Sequence, residues 1–441
     1  MTRPPPLADD TLAHAFNLAA EAIAAVIGGR SLDQALGECW RRHASLSASM
    51  RGAIQDLAYG ALRRYGRGDY FLEQLLHTPL RETRLRALLL AALYRLAQRP
   101  QDSHTTVNQA VAAAASIGRG KYKSLTNALL RSYQRRREEL EAVADALPRA
   151  RYQHPDWWIA ALRDSYPSAW ENILAAGNAH PAMCLRVNRR RGDRDAYLHQ
   201  LRELGMAARA VGESAIILEQ AMAVTGLPGF VDGSVSVQDA GAQLAAPLLD
   251  AQDGMRVLDA CAAPGGKSAH LLELHDVDLL SLDVDAGRAA RISDNLQRLG
   301  LAAQVGVADC RRLDLWWDGR PFQRVLADVP CSASGVVRRH PDSKWLRRAG
   351  DLTSFATTQS EILEALWRVL APDGRMLYCT CSLFPQENAQ QLAAFMRRHP
   401  DAVLLPTGPA GKHGDPQYWQ LLPQEEHDGF FYALLCKHGS S

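Results

Sequence analysis

Residues 256–268, Arg-Val-Leu-Asp-Ala-Cys-Ala-Ala-Pro-Gly-Gly-Lys-Ser, constrain the fold more than any other stretch of the chain. Val257 and Leu258 lead as a strand into Asp259, the chain turns at Pro264-Gly265-Gly266, and a helical pattern with Leu271, Leu272 and Leu274 on its apolar side follows. A strand, a glycine turn and a helix in that order belong to a parallel α/β sheet, which presents backbone N–H groups to a ligand at the turn. Two familiar ligand loops are excluded. The stretch has no G-x-G-x-x-G, and Cys261 stands where the first glycine of a phosphate-binding G-x-x-x-x-G-K-[ST] loop has to be.

The second half of the chain continues this pattern. Strands end near Asp259, Asp283, Val307 and Asp328, another covers 376–379, and helices fill roughly 265–274, 286–299, 353–370 and 385–398. Such alternation predicts a doubly wound parallel sheet with ligands at the carboxyl ends of its strands. Residues 429–436 read as a terminal antiparallel strand.

The front reads differently. Apolar residues recur at three- and four-residue spacing, as in Leu12, Ala15, Phe16, Ala19, Ala22, Ile23 and Val26, and helical segments continue to about residue 140 with no alternating strand pattern. A helical bundle is expected there. Residues 1–150 carry 21 Lys and Arg against 14 Asp and Glu, so within a net charge of +2 the remainder is acidic by 5. A basic front suits a polyanionic partner, although a solvated arginine-rich surface has the same composition. Between the two parts, 148–180 reads as a two-helix connector with Trp157, Trp158 and Trp170 as packing bulk. Strands near 184–188 and 215–218 around a helix at 193–204 then read as a small α+β insert. The expected division is 1–145, 146–234 and 235–441.

Eight cysteines without a C-x-x-C pattern give no zinc site, and no metal is expected. Free thiols suggest a cytoplasmic protein, as does an N-terminus in which Arg3 is followed by three prolines, the wrong pattern for a secretory signal. The apolar run 88–94 is too short to span a bilayer, so no membrane partner is expected.

Three strand-end acids, Asp259, Asp283 and Asp309, stand in register with the Pro-Gly-Gly turn. A single such acid is commonly a helix cap, but three together favour S-adenosylmethionine. Nothing in the stretch cradles a pyrophosphate. The fourth strand runs into Asp328-Val329-Pro330-Cys331-Ser332 and the fifth into Thr380-Cys381-Ser382, which brings two cysteines to the cofactor edge. A cytosine ring explains two thiols and a carboxylate there. Its carbon 5 is too weak a nucleophile to accept a methyl group until a thiolate adds at carbon 6, and a carboxyl group facing N3 assists that addition. Cys379 reads as core and Cys261 as support for the cofactor loop. Arg338, Arg339, Lys344 and Trp345, after the fourth strand, are expected to hold RNA phosphates and stack on a base.

Residues 261–267, 328–332 and 380–382 resemble the motifs of the RNA cytosine-5 methyltransferases, and the likeness extends over about 230–441. Residues 124–131 resemble the signature helix of NusB-like RNA-binding domains. Together they resemble the bacterial 16S rRNA cytosine-5 methyltransferase family of the Sun, Fmu and RsmB type, which modifies the cytosine at position 967 of 16S rRNA. The resemblance implies an α/β Rossmann-like S-adenosylmethionine-dependent methyltransferase domain, preceded by an all-α NusB-like domain and a small α+β insert. It assigns Cys381 as the nucleophile, Cys331 to product release and Asp328 to the base N3. Cofactor binding falls to Cys261, Ala262, Ala263, Pro264, Gly265, Gly266 and Lys267 with Asp283, Asp309 and Asp328. Val329 replaces the usual alanine of the fourth-strand motif, a mild departure. The expected partner is 16S rRNA, engaged by a monomer. The same chemistry on tRNA or another RNA, and a non-catalytic RNA-binding assembly factor, remain as alternatives.

Overall fold

The computed structural model describes residues 10–408 and 417–439, so the proline-rich segment at 3–6 lies outside the described residues. The chain forms two compact units. One comprises Met1–Ala179 with Val337–Ala349, the other His180–Val336 with Gly350–Ser441.

The first unit is helical. Its centre is the helix Thr83–Gln98, which buries Leu85, Leu88, Leu89, Leu90, Leu93 and Leu96, so the apolar run at 88–94 is the heart of a bundle. The helix Leu12–Ile27 packs Phe16, Ile23 and Val26 into the same core. Side chains stop these helices fraying at their starts: Thr11, Ser31 and Ser47 each accept a backbone N–H from the residue three positions on. The last of the expected helical segments is followed by another helix: Lys123–Arg135 ends where Arg136 leaves helical geometry at φ −104° and ψ 14°, and Arg137–Ala146 begins. The helices Asp156–Ser165 and Trp170–Asn178 cluster with this unit, and Trp158 is fully buried in it.

The second unit contains two sheets. The smaller has the order β2-β3-β1-β4, all antiparallel, from β1 (Met183–Val187), β2 (Ala208–Val211), β3 (Ala215–Leu218) and β4 (Val235–Val237), with the helix Arg194–Glu203 between β1 and β2. Pairing of β4 with β1 corrects the expected boundary at 234, since Val235–Val237 belongs to the insert's sheet. The larger sheet is built from β5 (Arg256–Asp259), β6 (Asp278–Asp283), β7 (Gln304–Val307), β8 (Phe322–Asp328), β9 (Leu370–Thr380), β10 (Ala402–Leu405), β11 (Trp419–Leu421) and β12 (Phe430–Lys437). Its order is β10-β12-β9-β8-β5-β6-β7, with β11 paired to β12. Strands β5 to β9 are parallel, and β12 closes on β9 antiparallel.

Apolar runs in these strands reflect burial on both faces. Val257, Leu326 and Leu377 enter one core, with Leu271 and Ile292 from the helices Gly266–Leu274 and Ala286–Leu299. Their neighbours Leu258, Val325 and Met376 enter the opposite core, with Leu363 and Leu366 from Asp351–Val369. The parallel strands therefore share one carboxyl edge, where β5, β6, β8 and β9 end at Asp259, Asp283, Asp328 and Thr380.

A buried ion pair joins the smaller sheet to the helix Gly266–Leu274. From β1, the Arg186 guanidinium donates to both Glu273 oxygens at 2.8 Å, with the two side chains 1% and 0% exposed. It also donates to the Gly266 carbonyl at 2.9 Å and to Gln238. The insert thus holds the first turn of the helix that follows the glycine loop.

Candidate active site

The glycine loop leaves β5 through a cis Ala263-Pro264 peptide and turns at Gly265, whose φ of 93° favours a residue without a side chain. A Cβ on Gly265 would lie 3.1 Å from the Ile292 backbone, while one on Gly266 would meet nothing closer than Gln238 at 3.6 Å. The loop therefore presses on a helix at one glycine and leaves the other open.

Beside it, Asp259 is buried. One carboxyl oxygen accepts the Ser268 hydroxyl at 2.6 Å, and Ser281 donates to Ser268 at 3.0 Å. The other oxygen has no hydrogen-bond partner among the described residues. Burial pushes this carboxyl up to about 7, against the hydrogen bond from Ser268 and with the negative charge of Asp328 adding to the rise. Asp283 is 3% exposed and accepts the backbone N–H groups of Ala263 at 3.2 Å and Asp285 at 3.1 Å, with Arg288 at 3.4 Å. An open glycine turn, an orphaned buried carboxyl oxygen and a strand-end carboxylate are an apt donor and acceptor set for a ligand carrying an ammonium group and ribose hydroxyls.

Two other expected cofactor residues face protein groups. Asp309 is bound by Arg311 through contacts of 2.6 to 3.1 Å, and Arg311 reaches Glu361 at 2.5 Å. The Arg311 guanidinium holds the Asp309 carboxyl below the usual range. Cys261 turns toward Cys310, and that hydrogen bond followed by burial pushes its thiol well up. A shielded, protonated Cys261 suits support of the loop.

At the ends of β8 and β9 the structure brings together Lys267, Asp328, Cys331 and Cys381. The Lys267 ammonium donates to Asp328 at 2.5 Å. Burial is the largest single influence and works against the charge on Lys267, but Asp328 together with Cys379 and Cys381 outweighs it and the lysine's pKa is raised. The sulfurs of Cys331 and Cys381 are 3.4 Å apart, and both residues are half-buried. Hydrogen bonding to Cys381 and then burial push the Cys331 thiol well up. Cys379 is fully buried, as expected of a core residue, yet its thiol reaches Asp328 at 3.5 Å and so borders the site.

The expected RNA contacts at Arg338 and Lys344 are corrected. Residues 337–349 belong to the helical unit, where Lys344 is 0% and Arg338 2% exposed. Lys344 donates to Asn178 at 2.7 Å, the Arg338 carbonyl accepts from Arg63 at 2.8 Å, and the Trp345 indole donates to the Leu62 carbonyl at 2.8 Å. Trp345 also lies 5.0 Å from Tyr65, centroid to centroid. Burial pushes Lys344 well below the usual lysine range, so neither it nor Arg338 offers a charged surface to phosphate. Arg339 is half-buried in the same segment.

Sequence reading overlooked Glu387. It is completely buried and bonded to the residues following both cysteines. Glu387 falls in the first turn of the helix expected over 385–398, where a glutamate reads as a solvated residue, and the Pro385 that starts its 3-10 turn hints at fixed geometry.

Among the described residues no group of three or more His, Cys, Asp or Glu is arranged to hold a metal ion, and no helix is long and apolar enough to cross a membrane.

Comparison with known proteins finds relatives for each part of the chain. Residues 246–436 match the family described as 16S rRNA methyltransferase RsmB/F, 154–225 match the RsmF/B-like ferredoxin-like domain, and 15–135 match the NusB family. Ribosomal RNA small subunit methyltransferase B of Pseudomonas putida is 45% identical over 431 residues, covering 96% of this chain and 98% of the relative. The protein of the same name from Serratia proteamaculans is 42% identical over 428 residues, covering 96% and 98%. The crystal structure of PH0851 shares the fold, with a TM-score of 0.81 at 24% identity over 98% of this chain and all of that one.

Proposed function

The chain belongs to the 16S rRNA methyltransferase RsmB/F family, and on that premise we propose that it methylates carbon 5 of a cytosine in 16S rRNA, using S-adenosylmethionine. The observation that carries the reading is the pair of thiols 3.4 Å apart on the strand-end edge that also bears Lys267 and Asp328. The names of the relatives support rRNA as substrate.

The loop 261–267, Asp259 and Asp283 would hold the cofactor, with Asp309 and Asp328 bordering it. Bound there, S-adenosylmethionine supplies an electrophilic methyl group on a sulfonium. The work of this chain's residues is to make the base nucleophilic. The Cys381 thiolate adds its electron pair to carbon 6 of the cytosine, and the ring's electrons move toward N3. The Lys267 ammonium donates to Asp328 across 2.5 Å, and facing N3 this pair would hold or deliver a proton there as negative charge builds. Carbon 5 then accepts the methyl group. Release requires return of the N3 proton, transfer of the carbon 5 proton to a water molecule and cleavage of the bond to Cys381, whose sulfur leaves with the electron pair as the thiolate. Cys331 stands next to that bond. Its raised pKa keeps it a thiol while Cys381 acts as the nucleophile.

A base inside a helical stack cannot reach Cys381, so the target lies in a loop or end of folded RNA, flipped into the site. The basic helical front engages the surrounding RNA. We read the protein as a cytoplasmic monomer working without a bound metal.

Replacement of each cysteine tests this assignment. Cys381→Ala is expected to abolish transfer with cofactor binding retained, and Cys331→Ala to accumulate a protein–RNA adduct that survives a denaturing gel. Full activity in Cys381→Ala would remove it as the nucleophile. Absence of any adduct in Cys331→Ala would remove that residue from release.

A further inference from the structure

The two cysteine loops come from strand ends 50 residues apart in sequence, and one buried side chain ties them together. Glu387 is 0% exposed. One carboxylate oxygen accepts the backbone N–H of Ser332, the residue after Cys331, at 2.8 Å, and the Gln359 amide at 3.1 Å. The other accepts the hydroxyl of Ser382, the residue after Cys381, at 2.5 Å. Gln359 also donates to the Pro330 carbonyl at 2.9 Å, so Cys331 is held from both sides through Glu387.

Further bonds converge on the same point. Ser332, Ser334 and Ser382 join their hydroxyls at 3.1 to 3.2 Å, and Ser334 accepts the Leu383 N–H at 2.7 Å. The Gly335 N–H reaches the Cys381 carbonyl at 2.8 Å. The Tyr378 hydroxyl donates to the Glu387 carbonyl at 2.5 Å. A carboxylate this deep is costly to bury unless its lone pairs are filled, and here both oxygens are. A neutral residue would serve packing alone at less cost, which makes alignment of the loops the property gained by a carboxylate.

We propose that Glu387 is a positioning residue of the methyl-transfer site, a buried carboxylate that sets the distance and facing of Cys331 and Cys381 without touching substrate. Its negative charge is also among the influences that push the Cys331 thiol up, after the hydrogen bond to Cys381, burial and the charge of Cys381. Glu387 thereby opposes ionisation of the releasing cysteine. The chemical consequence rests on the function proposed above; the alignment of the thiols does not.

The test therefore uses a readout for each part. Diamide accepts two electrons and two protons from a pair of thiols, becoming the hydrazine as the sulfur–sulfur bond forms. Its rate of joining Cys331 to Cys381, followed by peptide mass spectrometry, reports their alignment without RNA or cofactor. In Glu387→Gln, one oxygen is kept and the acceptor for Ser382 is lost. That crosslinking is expected to slow by about tenfold or more, and single-turnover methyl transfer by about 100-fold, the usual penalty for reacting groups misplaced by about 1 Å. The KM for S-adenosylmethionine is expected to stay within about twofold of wild type. Alkylation of Cys331 by iodoacetamide is expected to begin at lower pH, a shift that a merely structural role would not produce. Ser382→Ala removes only the second arm and serves if Glu387→Gln fails to fold; the same slowing is expected. Unchanged crosslinking and transfer in the folded variants would overturn the proposal. Slowed crosslinking in a protein whose wild type methylates no RNA would uphold the alignment and reject the proposed function.

Discussion

Replacing Arg186 by alanine is expected to strand the Glu273 carboxylate in the core. Wild-type Arg186 gives Glu273 two hydrogen bonds at 2.8 Å, and neither side chain reaches solvent to any useful extent. Breaking one partner of such a pair costs roughly 3–5 kcal/mol, because the survivor is left charged and unpaired or must take up a proton. With a urea slope of roughly 3 kcal/mol per molar for a unit of this size, the loss corresponds to a fall of about 1–2 M in the unfolding midpoint of the second unit. Arg186 also holds the Gly266 carbonyl at 2.9 Å, so the glycine loop loosens as well and the KM for S-adenosylmethionine rises. The double variant Arg186→Met with Glu273→Leu removes both charges and is expected to recover most of the midpoint but not the KM. The assay is urea unfolding followed by fluorescence and cofactor titration. A midpoint for Arg186→Ala within about 0.3 M of wild type, or a double variant no better than the single one, would refute the reasoning.

Two further predictions concern buried charges. Asp259 titrates at about 7 in the folded protein against an ordinary 3.8. Between those values the unfolded chain has lost the proton and the folded one has kept it, so stability falls as pH rises through the window, by about 4 kcal/mol in all. Asp259→Asn is expected to flatten that decline, gaining on wild type from pH 4 to pH 8 in urea midpoints; parallel profiles would show that the carboxyl is not so perturbed. Lys344→Met is expected to leave both RNA affinity and its salt dependence unchanged, because the amine is buried against Asn178. A loss of about one unit in the salt slope would mean that Lys344 meets a phosphate.

The parallel core was readable because strands buried on both faces are written as short apolar runs ending in a polar residue. Val257, Leu258 and Asp259 pair in parallel with Arg324, Val325 and Leu326 in the structure. Strand β2, Ala-Arg-Ala-Val, carries little apolar signal and was missed; it is an edge strand whose backbone pairs with β3 while its side chains stay partly exposed. The cationic segment after β8 misled for a related reason. Arg338 and Lys344 look like phosphate ligands in sequence, but the distant partners that bury them, Arg63 and Asn178, cannot be read from local pattern. Glu387 was hidden in the same way: its partners Ser332 and Gln359 are 55 and 28 residues away. By contrast, Cys331 and Cys381 were paired by reasoning from strand ends, since parallel topology carries both to one edge.

The central claim is methyl transfer to carbon 5 of a cytosine in 16S rRNA, and its most direct test is labelled S-adenosylmethionine with unmodified small-subunit rRNA, the modified base then mapped. The account predicts a single 5-methylcytosine in an unpaired stretch, lost in Cys381→Ala. Transfer to tRNA alone would contradict the substrate. Label on any atom other than carbon 5, or transfer that survives loss of Cys381, would contradict the chemistry.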